Sequence, residues 1–253
     1  MYYKLINRFI ISILIIFLCS FQSESFKDSQ LKYSRVRQAY KDKEDNITAL
    51  LQNKQIAKNR LKIYLRAFKS EKQIELWGKN SSDTKYVLLK TFNVCRTSGR
   101  LGPKRKQGDF QIPEGFYHIN RFNPYSNFYL SLGINYPNKS DRILGVKGKL
   151  GGDIFIHGAC VTIGCLPITN DQIKELYIIC VEARNNGQTK IPVTIFPSKL
   201  SETKFKQLTE KNSSDSDKIG LWTDLKIGYD IFNKTKQLPT IGFLSSGRHN
   251  VKN

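Results

Sequence analysis

Apolar and polar positions alternate most clearly from residue 63 onward. In "IYLRAFKSEKQIELWGK" (63–79) two apolar runs flank the polar "KSEK", as the arms of a hairpin do, and "YVLLKTFNVC" (86–95) follows the turn "NSSD". Glycines and prolines then punctuate "SGRLGPKRKQGDFQIPEGFYHINRFNP" (98–124), a loop closed by the strand "EGFYHINRF". "NFYLSLGINYPN", "GGDIFIHG" and "IPVTIFPS" read as further strands, the last one buried. Helical spacing appears in three places. Residues 31–62 carry a charged helix with an apolar stripe of Val36, Tyr40, Ile47, Leu50 and Leu51. "TNDQIKELYIICVEARNNG" (169–187) is a second, capped by Thr169 or Asn170 and stopped by Asn-Asn-Gly. "IGLWTDLKIGYDIFNKTKQLP" (219–239) is the third, followed by a loose C-terminus. The pattern predicts an α+β, mostly β domain over residues 63–198. A helical segment (26–62) precedes it and a helical extension and tail (199–253) follow.

Length and composition suit one good-sized core, or one core plus a small appendage, with 40% hydrophobic and 25% charged residues in 253. Charge changes the picture: 41 Lys and Arg against 21 Asp and Glu leave a net +20. Such a surface favours polyanions, although the lysines are scattered and general solvation explains them as well. The N-terminus argues location. Lys4 and Arg8 precede the apolar run "FIISILIIFLC" (9–19), which is short for a membrane span and suits an export signal or anchor over residues 1–25. Lipidation at Cys19 fits poorly behind Leu18. Export excludes nucleic acid as the expected partner and confines membrane contact to this N-terminal segment.

Cys95, Cys160, Cys165 and Cys180 follow the signal, and four thiols allow two disulfides in an oxidising compartment. One reactive thiol with three buried ones is an equal expectation. The chemistry concentrates in "DIFIHGACVTIGCLPITND" (153–171), which holds one of only three histidines. Four readings compete for it. His157, Cys160 and Cys165 have an unfamiliar spacing for zinc, and a fourth ligand would come from Cys95, Cys180 or His118. A Cys160–Cys165 disulfide would close a short loop. A buried histidine with core cysteines is the plain alternative. The fourth reading is a thiol nucleophile, since an imidazole can take its proton and Gly164 lets the chain approach a substrate. The residues alone favour this last reading only slightly.

The stretch resembles the signature of the L,D-transpeptidase catalytic-domain family, cysteine enzymes of bacterial peptidoglycan. That family pairs an upstream His-Gly with a downstream Ser/Thr-x-Gly-Cys, seen here as His157-Gly158 and Thr162-Ile163-Gly164-Cys165. Ile163 stands where the family commonly has a second histidine, and the His-to-Cys gap is short, as in one branch of murein L,D-transpeptidases. "TSGRLGPKRKQGDFQIPEGFYHI", "LSLGINYPNKSDR" and "LWTDLKIGYDIFNKTKQLP" resemble that branch too, so the likeness covers roughly residues 33–243.

The resemblance implies a β-sandwich of L,D-transpeptidase type, no cofactor and no metal, and an exported protein of the bacterial periplasm or envelope. Its implied partners are peptidoglycan stem peptides and, as a further option, a wall-attached protein. Cys165 would attack the L-centred third residue of a tetrapeptide stem, diaminopimelate by the resemblance, and expel D-Ala. His157 would act as base and then acid, oriented by the Gly158 carbonyl. The amides of Gly164 and Cys165 would form the oxyanion hole, with Thr162 hydrogen-bonding in the cleft. Tyr117, Arg142 and Arg100 are the expected substrate contacts, with Lys104 a similar candidate, while His118 is expected to pack. An amine acceptor would give a transpeptidase and water a hydrolase on the same site. A non-catalytic wall-binding module is the third possibility. Cys160 has no assigned role: it is either a small buried hydrophobe or half of a disulfide that gates the nucleophile.

Overall fold

The structure, a computed structural model, describes residues 24–253. The apolar run 9–19 and its expected role as an export signal or anchor lie outside the described residues. Among the described residues no helix is long and apolar enough to cross a membrane.

The chain opens with α1 (Phe26–Leu31) and α2 (Ser34–Asn53). The α2 stripe buries Val36, Ala39, Tyr40, Ile47 and Leu51. Strands β1 (Leu61–Phe68), β2 (Gln73–Asn80) and β3 (Val87–Asn93) form an antiparallel meander. β1 is buried at nearly every position because it is an inner strand with β8 (Ile191–Phe196) parallel on its other side. β4 (Gly115–Asn123), β5 (Ser131–Ile134), β6 (Phe155–His157) and β7 (Leu166–Pro167) complete one curled mixed sheet, in the order β3-β2-β1-β8-β4-β5-β6-β7. Between β5 and β6 lies α3 (Lys139–Leu144), closed by a capping box of Asn138 and Asp141.

Helix α4 (Asn170–Asn185) follows the site directly and packs on α2 and on the sheet. Thr169, not Asn170, is its cap, and its hydroxyl accepts from the Gln172 amide. Its apolar face joins those of β1, β4, β5, β6 and β8 in one contiguous core. Two helices, α5 (Glu202–Lys211) and α6 (Ser216–Thr235), build a second cluster around the fully buried Trp222. The expected loose C-terminus is instead ordered as a hairpin, β9 (Thr240–Phe243) with β10 (His249–Lys252), packed on α6. The fold is mixed α and β, mostly strands, as the pattern predicts.

Candidate active site

Three backbone devices bring His157 and Cys165 together. β6 ends on His157, and β7 begins immediately after Cys165. The two strands run parallel, with Ile156 beside Leu166 and His157 beside Pro167. The chain between them is only residues 158–165, far shorter than an ordinary parallel crossover. It must therefore fold tightly on itself. Gly158 is packed so closely that a Cβ there would lie 2.5 Å from Asn170 Oδ1 and 2.7 Å from the Phe128 carbonyl. Ala159 then takes φ +55, and its amide donates to Asn170 Oδ1 at 2.9 Å. Gly164 sits at φ +140 against the Gln111 carbonyl, where a side chain would be strained.

A disulfide closes the arrangement. Cys160 pairs with Cys95 at the end of β3, with Cα atoms 5.6 Å apart, and both residues are exposed. This corrects the sequence expectations of two disulfides or of three buried thiols. It also leaves Cys165 free and half-buried, so the Cys160–Cys165 bridge does not form, and Cys180 is a buried free thiol. Cys160 is thus neither a buried hydrophobe nor a direct block on Cys165.

His157 is buried, stacked on Phe128 at 4.5 Å between ring centroids. Its Nδ1 donates to the Gly158 carbonyl at 2.5 Å, since a carbonyl can only accept, and Nε2 is left as the basic nitrogen. Burial holds the imidazole below its ordinary pKa, opposed by the Gly158 bond. Burial also pushes the Cys165 thiol up. A backbone bond at Phe155 and the charge of Lys104 act downward, and Asp153 acts upward. Both shifts favour a neutral imidazole beside a neutral thiol. The thiol itself lies 3.6 Å from the Asp153 carbonyl.

Cys165 stands where two cavities meet. One, about 560 Å³, is lined by His157, Phe128, Arg96, Val161 and Thr162. The other, about 280 Å³, is walled by Lys104, Gln107, Phe110 and glycines 108, 151, 152 and 164. Asp153, Ile163 and Cys165 belong to both. Ile163, 75% exposed, is the lip between them.

The expected oxyanion donors are occupied. The amides of Gly164 and Cys165 both donate to Thr162 Oγ1, at 3.1 and 2.8 Å, and that hydroxyl donates to the Cys165 carbonyl at 2.8 Å. Thr162 is therefore the clamp of the turn. The expected substrate contacts lie elsewhere. Tyr117 is buried and donates to Asp141 at 3.0 Å. Arg142 lines a separate cavity with Asn135, Tyr136 and Phe243. Arg100 lines another with Lys204, Lys211 and Lys218. None of the three borders the Cys165 cavities, because β4 turns its Tyr117 face into the core and the two arginines point away along the loop and α3. His118 is half-buried within β4. Lys104 does border the smaller cavity.

The loop of residues 98–114 owes its course to two buried ions. Lys69 Nζ donates to the carbonyls of Arg100, Gly102 and Ile112 and pairs with Glu114 at 2.8 Å. Glu114 in turn accepts from the Gly102 amide and from Trp222 Nε1 of α6. Sequence reasoning missed these residues, along with Asn170, Asp153 and Phe128. Lys69 and Glu114 lie far apart in sequence, and no local pattern marks them as partners.

The L,D-transpeptidase catalytic domain (YkuD) family model matches residues 62–195. YafK of Escherichia coli K12, provisionally named an L,D-transpeptidase, is 37% identical over 191 residues, covering 75% of this chain and 73% of YafK. The cell-shape-determining protein Pgp2 of Campylobacter jejuni overlays at 18% identity and a TM-score of 0.43, covering 73% of each chain. Bd1075 of Bdellovibrio bacteriovorus overlays at 20% identity and 0.39, covering 68% and 62%. On the family match and the YafK identity, the chain belongs to the L,D-transpeptidase catalytic-domain family.

Proposed function

We propose that the protein is a cysteine L,D-transpeptidase of the bacterial periplasm acting on peptidoglycan stem peptides. Cys165 is the nucleophile and His157 the proton carrier. The observation that carries this reading is the shared cavity: a free thiol and an imidazole with its basic nitrogen unspent face one solvent-reachable space. The Cys165 proton passes to His157 Nε2 as Sγ bonds to the third-residue carbonyl carbon of a tetrapeptide stem. The carbon–nitrogen bond to D-Ala then breaks, and His157 returns the proton to the departing amine, leaving a thioester. An amine from a second stem enters by the reverse path and restores the thiol. By microscopic reversibility the leaving and entering amines use the same place, the cavity that His157 lines.

The Gly158 carbonyl keeps the imidazole in the tautomer this requires. The Gly164 and Cys165 amides serve the oxyanion once the substrate oxygen takes the place of Thr162 Oγ1.

The test is incubation of the purified protein with disaccharide-tetrapeptides, followed by mass spectrometry beside Cys165→Ala. Cross-linked dimers with loss of alanine, absent in the variant, are expected. Tripeptide monomers alone would replace transfer by hydrolysis. No Cys165-dependent product would overturn the enzymatic reading in favour of a wall-binding module.

A further inference from the structure

The smaller cavity contains one cation, and the mechanism above leaves that cation without a task. Lys104 is only 5% exposed, yet it lines the space beside Cys165. Its ammonium has three N–H bonds to give. One goes to Asp109 at 2.5 Å and a second to the Lys106 carbonyl at 2.9 Å. The Tyr136 ring, 6.0 Å away, is at the outer edge of cation–π range. Among the described residues no acceptor takes the third.

Asp109 neutralises this charge as an ion pair but takes only one of the ammonium's three N–H bonds. Its oxygens also accept from the backbone amides of Arg105, Lys106 and Gln111; burial pushes the carboxyl up, but Lys104 and these amides outweigh it and hold it below its ordinary pKa. Asp109 therefore works as the knot of the loop and fixes where the ammonium stands. Asp153, the one acid lining the cavity, has its carboxylate on Arg121 at 2.8 Å. The remaining wall is glycine at four positions, which leaves room for a ligand's atoms to come close to the backbone.

Which part of the substrate enters follows from the proton path, and so rests on the proposed function. His157 borders only the larger cavity. The amine that leaves or arrives must meet His157, so it occupies that space. The acyl side of the donor, on the other flank of Cys165, is left for the smaller one. A stem offers two free carboxylates there: the one ending the third residue's side chain, and the α-carboxylate of the second residue. Both carry the same chemistry.

We propose that Lys104, positioned by Asp109, is a specificity-determining residue that receives a free carboxylate of the acyl donor. The competing account makes Lys104 a brace for the loop, through its bonds to Lys106 and Asp109. A brace would alter turnover of every donor alike, whereas a carboxylate receptor discriminates among donors.

Three synthetic tetrapeptides separate these accounts when D-Ala release is followed with the purified protein. One has both carboxylates free, one is amidated on the third residue's side chain, and one on the second residue's α-carboxylate. One of the two amidations is expected to raise KM about ten- to hundred-fold, the scale of a charge-assisted hydrogen bond, and thereby identifies the carboxylate read. Lys104→Met should raise KM for the free peptide by a similar factor and become indifferent to that same amidation. Lys104→Arg should keep the preference. Wild-type KM values within two-fold across all three peptides would overturn the proposal and leave the transpeptidase reading standing. So would a Lys104→Met variant that still discriminates. Release of D-Ala from none of the three by the wild type would sink the transpeptidase reading itself, and the proposal with it.

Discussion

An imidazole pressed against Phe128 loses water from one face, and a thiol set between two cavities loses part of its own. Burial favours the uncharged form of each, so His157 falls below its ordinary pKa and Cys165 rises above its own. The pair rests as thiol and imidazole, and proton transfer accompanies attack. Alkylation of Cys165 by iodoacetamide should therefore rise with pH to a midpoint above the ordinary thiol value. The acid limb of kcat/KM should lie below the ordinary histidine value, because the base is the neutral ring. A plateau of alkylation near neutrality would instead reveal a preformed thiolate–imidazolium pair and discard this account. Thr162 belongs to the same scale. Thr162→Val would leave two half-buried amides without an acceptor and should lower stability by about 1–3 kcal/mol, whereas Thr162→Ser should not. Denaturant titration of both variants checks this.

At the scale of elements, the active loop depends on α4 as much as on its own sequence. Asn170 occupies the first turn of α4 and turns its side chain back to hold the Ala159 amide, at a residue with φ +55. Asn170→Ala should reduce D-Ala release about ten-fold for a loss near 1 kcal/mol of stability; unchanged release would show that the loop holds its course unaided. Such links explain what the sequence did and did not disclose. Strands β1 to β4 were legible because apolar residues recur on their buried faces, and α4 because its stripe and stop are both written locally. That His157 and Cys165 come together at one cavity was legible through the motif that the resemblance supplied. The hairpin β9–β10 and helix α5 were not, since α5 fully buries only Leu208 and the hairpin's apolar residues are few and half-buried. Tyr117, Arg142 and Arg100 stand away from the Cys165 cavities for another reason. Residue type suggests a partner, but only the strand's pleat and the loop's course decide which way a side chain faces.

Across the whole molecule, charged pairs tie the C-terminal helices to the eight-stranded sheet. Arg105 spans the Asp217 carboxylate of α6 and reaches Asp141, on which Tyr117 also rests. Burial pushes Asp141 up to about 6, against the pull of Asn138 and Arg105. Its pKa is higher folded than unfolded, so folding takes up a proton between the two values. Stability contributed by this group is present below about pH 4 and declines as pH rises to about 6. The full shift corresponds to roughly 3 kcal/mol. Asp141→Asn should flatten the dependence of unfolding free energy on pH across that window, and a slope equal to that of the wild type would assign the effect elsewhere. Asp224 acts oppositely. Held down to about 2 with Arg248 and His249 on its oxygens, it stabilises above its unfolded value and is lost only as pH falls through about 2.

The exposed Cys95–Cys160 bond carries a consequence for anyone preparing this protein. Made in a reducing cytosol, the chain would reach the test tube with all its thiols open. The loop between His157 and Cys165 would then lack its tether to β3. During later oxidation in air, Cys165 would compete with Cys160 for Cys95, and a wrong pairing would consume the Cys165 thiol. Among the described residues, correctly paired material should show Cys165 reacting with Ellman's reagent in native buffer and Cys180 only after denaturation. A batch in which Cys165 does not react before denaturation has lost that thiol to a neighbour, and its inactivity would not count against the proposed function.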